Sequence, residues 1–215
     1  DRGLDERRIP DVAPFTLGVD TSTHDRFGNF QTGIFAPIIE RNTPVPVSRM
    51  EYFSTIRDNQ REVEFNVYQG EARDVAQNVK LGTTRITVPP KPAGQVGIEV
   101  RFTYDTSGLL EVDVTVPESG FHKNLVIVDE EDGRTSKDLD ASRKALQALK
   151  VHPRDEAENV AAMARAGRCY ESFTGPVRQM IGEWITDFQG ALDKQDKRII
   201  AEAREQLLAA LDRLE

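Results

Sequence analysis

The side chains able to move a proton or hold a metal are few and separately placed along this sequence. Glu62 and Glu64 alternate along one candidate strand, and Glu99, Glu111 and Asp113 lie on a candidate hairpin. A carboxylate works as a general acid when burial raises its pKa. Alternation with apolar neighbours places all five on polar faces, where solvated surface is the expectation. His24, His122 and His152 fall in a loop, before a strand and before a helix, with no two at metal-ligand spacing. Cys169 is the only cysteine, so neither an internal disulfide nor a cysteine zinc site can form. Its neighbour Arg168 would lower a thiol pKa, but small buried cysteines are common and a half-buried helix residue is the expectation for this one. The sequence contains no nucleophile elbow, phosphate-cradling glycine loop or cofactor fingerprint. The expectation is a chain without catalytic residues, metal or cofactor.

The elements that would position these side chains fall into two parts. From Val12 to Val128 apolar residues recur with period two in short runs bounded by turn residues, the pattern of antiparallel strands. Ile98, Val100, Phe102 and Tyr104, then the turn Asp105-Thr106-Ser107-Gly108, then Leu110, Val112, Val114 and Val116 predict a hairpin. Runs at Ile86 to Val88 and Leu125 to Val128 add strands, Pro89-Pro90-Lys91-Pro92 marks a loop, and a sandwich closes the set. Ser22 to Gly33 is the least strand-like stretch and is expected to be a loop. The acidic run Asp129-Glu130-Glu131-Asp132-Gly133 ends the strand pattern and is the expected boundary, giving a β-sandwich over residues 12–128 and a helical part over 134–215.

In the second part Leu139, Leu146 and Leu149 share a helical stripe, and another helix is expected just after Pro153. Val177, Met180, Ile181, Trp184, Ile185, Phe188, Ala191 and Leu192 recur at three and four residues, the clearest amphipathic helix in the chain. Trp184, Met180 and Phe188 are therefore expected to be core rather than an aromatic ligand site. Ile200, Ala203, Leu207, Leu208, Leu211 and Leu214 supply a partner stripe, so the predicted class is α+β in two parts, an antiparallel β-sandwich followed by an α-helical bundle.

Composition narrows the partners. The 215 residues carry a net charge of −8, which argues against nucleic acid, whose phosphates reward clustered cations. No apolar run is long enough to span a membrane. The start, Asp1 to Arg8, is charged and lacks a secretory apolar stretch; it is expected to be a cut edge inside a longer protein, with residues 1–11 a linker remnant and the cytoplasm the location.

Several blocks carry a likeness. Asp11-Val12-Ala13-Pro14-Phe15-Thr16-Leu17-Gly18, Glu40-Arg41-Asn42-Thr43-Pro44-Val45-Pro46, Phe53-Ser54-Thr55, Asp58 to Glu71 and Ile98-Glu99-Val100-Arg101-Phe102 stand in the order and near the spacing of the DnaK-like 70 kDa heat-shock chaperones. The chain resembles their peptide-binding domain with its helical lid, and within the family it looks like the bacterial HscC-containing branch. The resemblance is close from Asp11 to about Val128 and only one of pattern beyond.

The resemblance implies a site. Val19, Phe53, Val63, Phe65, Ile98 and Val100 would converge on an apolar pocket one side chain deep, while Thr21, Ser54, Thr55 and Gln60 would lie along a bound peptide. Ile56 would form one arm of an arch over it, with Phe27, Phe30 or Phe35 as the other. Periodicity alone favours a filled sandwich core for the apolar set; the resemblance favours a cleft. A pocket that accepts one Leu-like side chain gains about 1.5–3 kcal/mol, and each main-chain hydrogen bond adds about 0.5–1.5 kcal/mol. After ordering losses the sum lies near the −8 kcal/mol or so of micromolar binding.

By the same resemblance the implied partners are extended peptides rich in Leu, Ile or Val, a nucleotide-binding domain in cis that would hold ATP and regulate the site, and a J-domain co-chaperone. This sequence departs from the family pattern in three places. Arg7, Arg8, Ile9 and Pro10 replace an apolar linker, Ile56 replaces a small residue, and Ala93 stands where a basic lid latch is common, with Lys91 as the substitute. The rival from another class is a non-catalytic structural sandwich whose apolar rows are all internal and whose helices dimerise.

Overall fold

The computed structural model describes residues 11–128 and 136–214. The linker residues Arg7 to Pro10 and the acidic run at 129–133 lie outside them. Eight strands form two antiparallel four-stranded sheets. One has the order β2 (Phe30–Ile39), β1 (Leu17–His24), β4 (Glu62–Gln69), β5 (Val79–Thr87), and the other β3 (Val47–Ser54), β6 (Gly97–Tyr104), β7 (Leu110–Val116), β8 (Phe121–Ile127).

Alternation explains the layering. Ile98, Val100 and Phe102 of β6 and Leu110, Val112, Val114 and Val116 of β7 turn one way and are buried against Val19, Phe65, Val67 and Ile86 of the opposite sheet. The predicted hairpin is present, Tyr104 pairing with Leu110 and Glu99 with Thr115. Its turn closes on Asp105, whose Oδ1 accepts from the backbone N–H groups of Ser107 and Leu109 at 2.9 Å each.

The stretch expected to be a loop, Ser22 to Gly33, is instead mostly hairpin: β1 runs to His24 and β2 starts at Phe30. Polar Thr and Asn residues hid the strand period, and the reversal comes from Asp25. Its Oδ1 accepts from Phe27 N–H (2.8 Å) and Asn29 N–H (2.9 Å), and Gly28 takes φ +82°.

The sequence blocks that carried the likeness meet in space. Ala13 N–H donates to Thr43 O and Asn42 N–H to Ala13 O, at 2.8 Å each. Thr16 hydroxyl donates to Glu71 Oε1 at 2.6 Å and accepts from Arg41 N–H at 3.0 Å.

Four helices follow: α1 (Ser136–Gln147), α2 (Ala157–Ser172), α3 (Gly175–Asp193) and α4 (Lys197–Asp212). The chain forms two compact units, 1–150 and 151–215, so α1 groups with the sandwich and not with the later helices. In the second unit Ala162, Ala166 and Cys169 of α2, Ile181, Phe188 and Leu192 of α3, and Ile200, Leu207 and Leu211 of α4 share one core. Met180, expected in that stripe, is 37% exposed. Asn159, 1% exposed, ties the unit together: it donates to Pro153 O at 2.9 Å and accepts from Arg204 Nη1 at 2.8 Å.

Candidate functional site

The residues expected to line a peptide pocket come from both sheets. Phe53 of β3 lies directly opposite Ile98 of β6, and opposed residues in an antiparallel pair share a face, so both point inward. Phe53 meets Phe65 of β4 edge-on with ring centroids 5.6 Å apart, which joins the two sheets. Val19, Phe65, Ile98 and Val100 are fully buried, at 0 to 4% exposure. Phe53 and Val63 are half-buried and pack against that core. The six thus form one apolar cluster with two members reaching its edge. Thr21 extends the Val19 row along β1 and is half-buried.

The loop after β3 carries the polar residues. Ser54 is exposed, and Ile56 is 36% exposed. Thr55 is 3% exposed; its N–H donates to Val96 O at 3.1 Å, its carbonyl accepts from Gly94 N–H at 2.7 Å, and its hydroxyl has no partner among the described residues. Asp58 Oδ1 accepts from Ala93 N–H at 2.8 Å, and Asn59 N–H donates to Lys91 O at 2.9 Å. The loop is thereby stitched to the segment 91–96. Gln60 is half-buried and bonds within its own loop: Oε1 accepts from Ile56 and Arg57 N–H, and Nε2 donates to Glu62 O.

Of the three candidates for the second arm, Phe35 is buried at 8% exposure, whereas Phe27 (74%) and Phe30 (41%) stand out at the β1–β2 hairpin. Arg26 lies over the Phe27 ring at 4.7 Å, and His24 contacts Phe30 with centroids 5.3 Å apart. Lys91, the substitute lid latch, is engaged within the sandwich by Glu118.

Glu62 and Glu64 are exposed, as expected of solvated surface, but the hairpin carboxylates depart from that role. Glu111 is fully buried. It sits on the outer face of β7, and α1 lies over it: Arg143 Nε donates to Oε1 at 2.7 Å and Lys150 Nζ to Oε2 at 2.5 Å. Lys150 also lies 2.7 Å from Asp113 Oδ2, while Asn124 donates to Asp113 Oδ1 at 2.8 Å and His122 Nε2 is 3.1 Å from it. Burial pushes the Asp113 carboxyl up, but the bonds from Lys150 and Asn124 outweigh it and hold the group below its ordinary range. Burial likewise lowers Lys150, and its bonds to Asp113 and Glu111 carry it above the usual lysine value. The bond to Glu111 raises Arg143. A cavity of about 380 Å³ opens beside this cluster, lined by Met50, Glu99, Arg101, Asp113, His122 and Arg143 among others. Its walls are charged and nearly balanced, and none of the expected peptide residues lines it.

Among the described residues no group of acidic, His or Cys side chains could hold a metal ion. No helix among them is long and apolar enough to cross a membrane.

The fold and this cluster define a class: an antiparallel sandwich with an apolar core reaching its edge between two stitched loops, followed by a helical unit. The chain belongs to the Hsp70 family, whose model, described as Hsp70 protein, matches residues 2–214. It is 31% identical to a heat shock 70 kDa protein of Emericella nidulans over 98% of this chain and 30% of that protein. It is also 31% identical to a heat shock 70 kDa protein of Trichophyton rubrum over the same shares. A chaperone protein DnaK of Thermotoga petrophila is 38% identical over 55% of this chain and 19% of its own length. The chain therefore spans about a third of the length of the fungal relatives.

Proposed function

We propose that this chain captures extended, Leu-, Ile- or Val-bearing segments of unfolded polypeptides at the edge of its sandwich. The supporting observation is the half-buried pair Phe53 and Val63, which carries an otherwise sealed apolar cluster out to the surface beside the exposed residues Ser54 and Ile56. One aliphatic side chain placed against that pair gains about 1.5–3 kcal/mol. Main-chain bonding to an extended peptide adds affinity without demanding a sequence, which suits a binder of many clients. Binding proceeds without chemistry by these residues. ATP hydrolysis, control by a nucleotide-binding domain in cis and service by a J-domain partner are proposed for the whole protein, in the cytoplasm. The HscC-like placement is a reading of the sequence blocks, since the relatives above carry the family and not the branch.

The rival, a structural sandwich with a dimerising helical unit, draws on the complete burial of Val19, Phe65, Ile98 and Val100. Fluorescence anisotropy with a labelled Leu-rich peptide and an all-Asp control separates the two readings. Saturable binding of the first alone supports capture. Equal signals for both, with a dimer by light scattering, support the rival.

A further inference from the structure

The Gln60 side chain turns inward on its own loop. Its Oε1 accepts from Ile56 N–H at 3.2 Å and from Arg57 N–H at 3.3 Å, and its Nε2 donates to Glu62 O at 2.9 Å. Asn59 makes this reach possible: at φ +55° it reverses the chain just before Gln60. A carboxamide has two lone pairs on oxygen and two N–H donors. Both lone pairs and one donor are committed to the loop. To offer its oxygen to a peptide, Gln60 would have to release two backbone N–H groups at once.

The outer anchors of the same loop complete the picture. Asp58 and Asn59 tie it to Ala93 and Lys91. Those bonds hold the loop's far side, and Gln60 ties the stretch bearing Ile56 and Arg57 back to the start of β4. Ile56 itself is 36% exposed and lies outside the buried set that forms the sandwich core.

We infer that Gln60 is a positioning residue: it braces the Ile56 backbone at a fixed height above β4 and so sets how readily a bound chain passes Ile56. The brace stands on the geometry of the free protein. Its consequence for peptide rests on the capture function proposed above.

Residue-resolved amide exchange and peptide dissociation, measured on the 215-residue chain, test both parts. Gln60→Ala removes the acceptor, and exchange at Ile56 and Arg57 is expected to quicken roughly five- to tenfold, with β6 and β7 unchanged. Gln60→Glu keeps an acceptor for both N–H groups but loses the donor to Glu62 O, and should restore part of the protection. A fluorescein-labelled Leu-rich peptide is expected to leave Gln60→Ala several-fold faster than wild type, and Gln60→Glu at an intermediate rate. Unchanged exchange at both amides in Gln60→Ala, with weaker peptide binding, would overturn the brace and make Gln60 a direct peptide contact. Failure of wild type to bind any peptide would overturn the capture function, while the exchange data alone would still decide the brace.

Discussion

Arg143 on α1 donates through Nε to Glu111 Oε1 at 2.7 Å, placing a fully buried carboxylate of β7 under the first helix. The contact makes α1 part of the sandwich unit and gives that unit a second, outer layer on one sheet.

Removing one partner from a buried ion pair leaves the others uncompensated. Glu111→Gln should therefore destabilise the sandwich unit by about 2–4 kcal/mol, below the full range for a sealed pair because the Arg143 side chain is 41% exposed. Urea unfolding gives the number. A change under about 0.5 kcal/mol, the size of an ordinary surface substitution, would show that α1 does not depend on this pair.

The neighbouring carboxylate predicts a pH signature. Asp113 has its pKa lowered from the ordinary 3.8, so its contribution to stability is present above that value and is lost as pH falls through the folded-state pKa. Lys150 is raised from 10.5, so its share is complete below 10.5 and lost as pH rises through the folded-state value. The stability difference between wild type and Asp113→Asn is expected to stay level from about pH 5 to 9 and to shrink below 3.8. A difference that persists unchanged into strong acid contradicts the assignment.

Gly18 is fixed by a close approach. A Cβ there would lie 2.1 Å from the Ala36 carbonyl oxygen and 2.9 Å from the Phe35 ring. Since the first obstacle is backbone, Gly18→Ala must push β1 away from β2, at about 1–3 kcal/mol. Thermal unfolding checks this, and an unaltered midpoint would mean that the strands yield freely.

The Thr55 hydroxyl is buried without a partner among the described residues. Thr55→Val should be neutral or stabilising by up to about 1 kcal/mol in the free protein, because no hydrogen bond is lost and an unsatisfied group is removed. If peptide affinity falls while stability holds, the hydroxyl engages the ligand.

Much of the sandwich was legible because burial on one face of a strand writes itself as period two: Ile98 to Tyr104 and Leu110 to Val116 pair in the expected hairpin. The outer face was not legible in the same way. Glu111 and Glu99 occupy equivalent polar positions in the sequence, yet one is sealed and the other only half-buried. The difference depends on where α1 lands, which no local pattern encodes. The partners of Gln60 and Lys91 in the free protein were not legible either: their types suit a peptide contact and a lid latch, and here the loop's own N–H groups and Glu118 hold them. At the candidate site, alternation put Val63 and Phe65 on one face of their strand and Ile98 and Val100 on one face of theirs, while Val19 and Phe53 came from the resemblance. Only the packing of the two sheets distinguishes the half-buried Phe53 and Val63 from the sealed Val19, Phe65, Ile98 and Val100. That distinction also chooses the test residue, because enlarging Ile98, at 1% exposure, would overpack the core.

The most direct test of peptide capture is an anisotropy titration of one labelled Leu-rich peptide against wild type and Val63→Phe, with circular dichroism confirming that both are folded. Wild type is expected to bind with a Kd on the order of micromolar, and the enlarged side chain at the half-buried edge to weaken binding at least about tenfold. Superimposable binding curves for the two folded proteins would contradict a site at Phe53 and Val63.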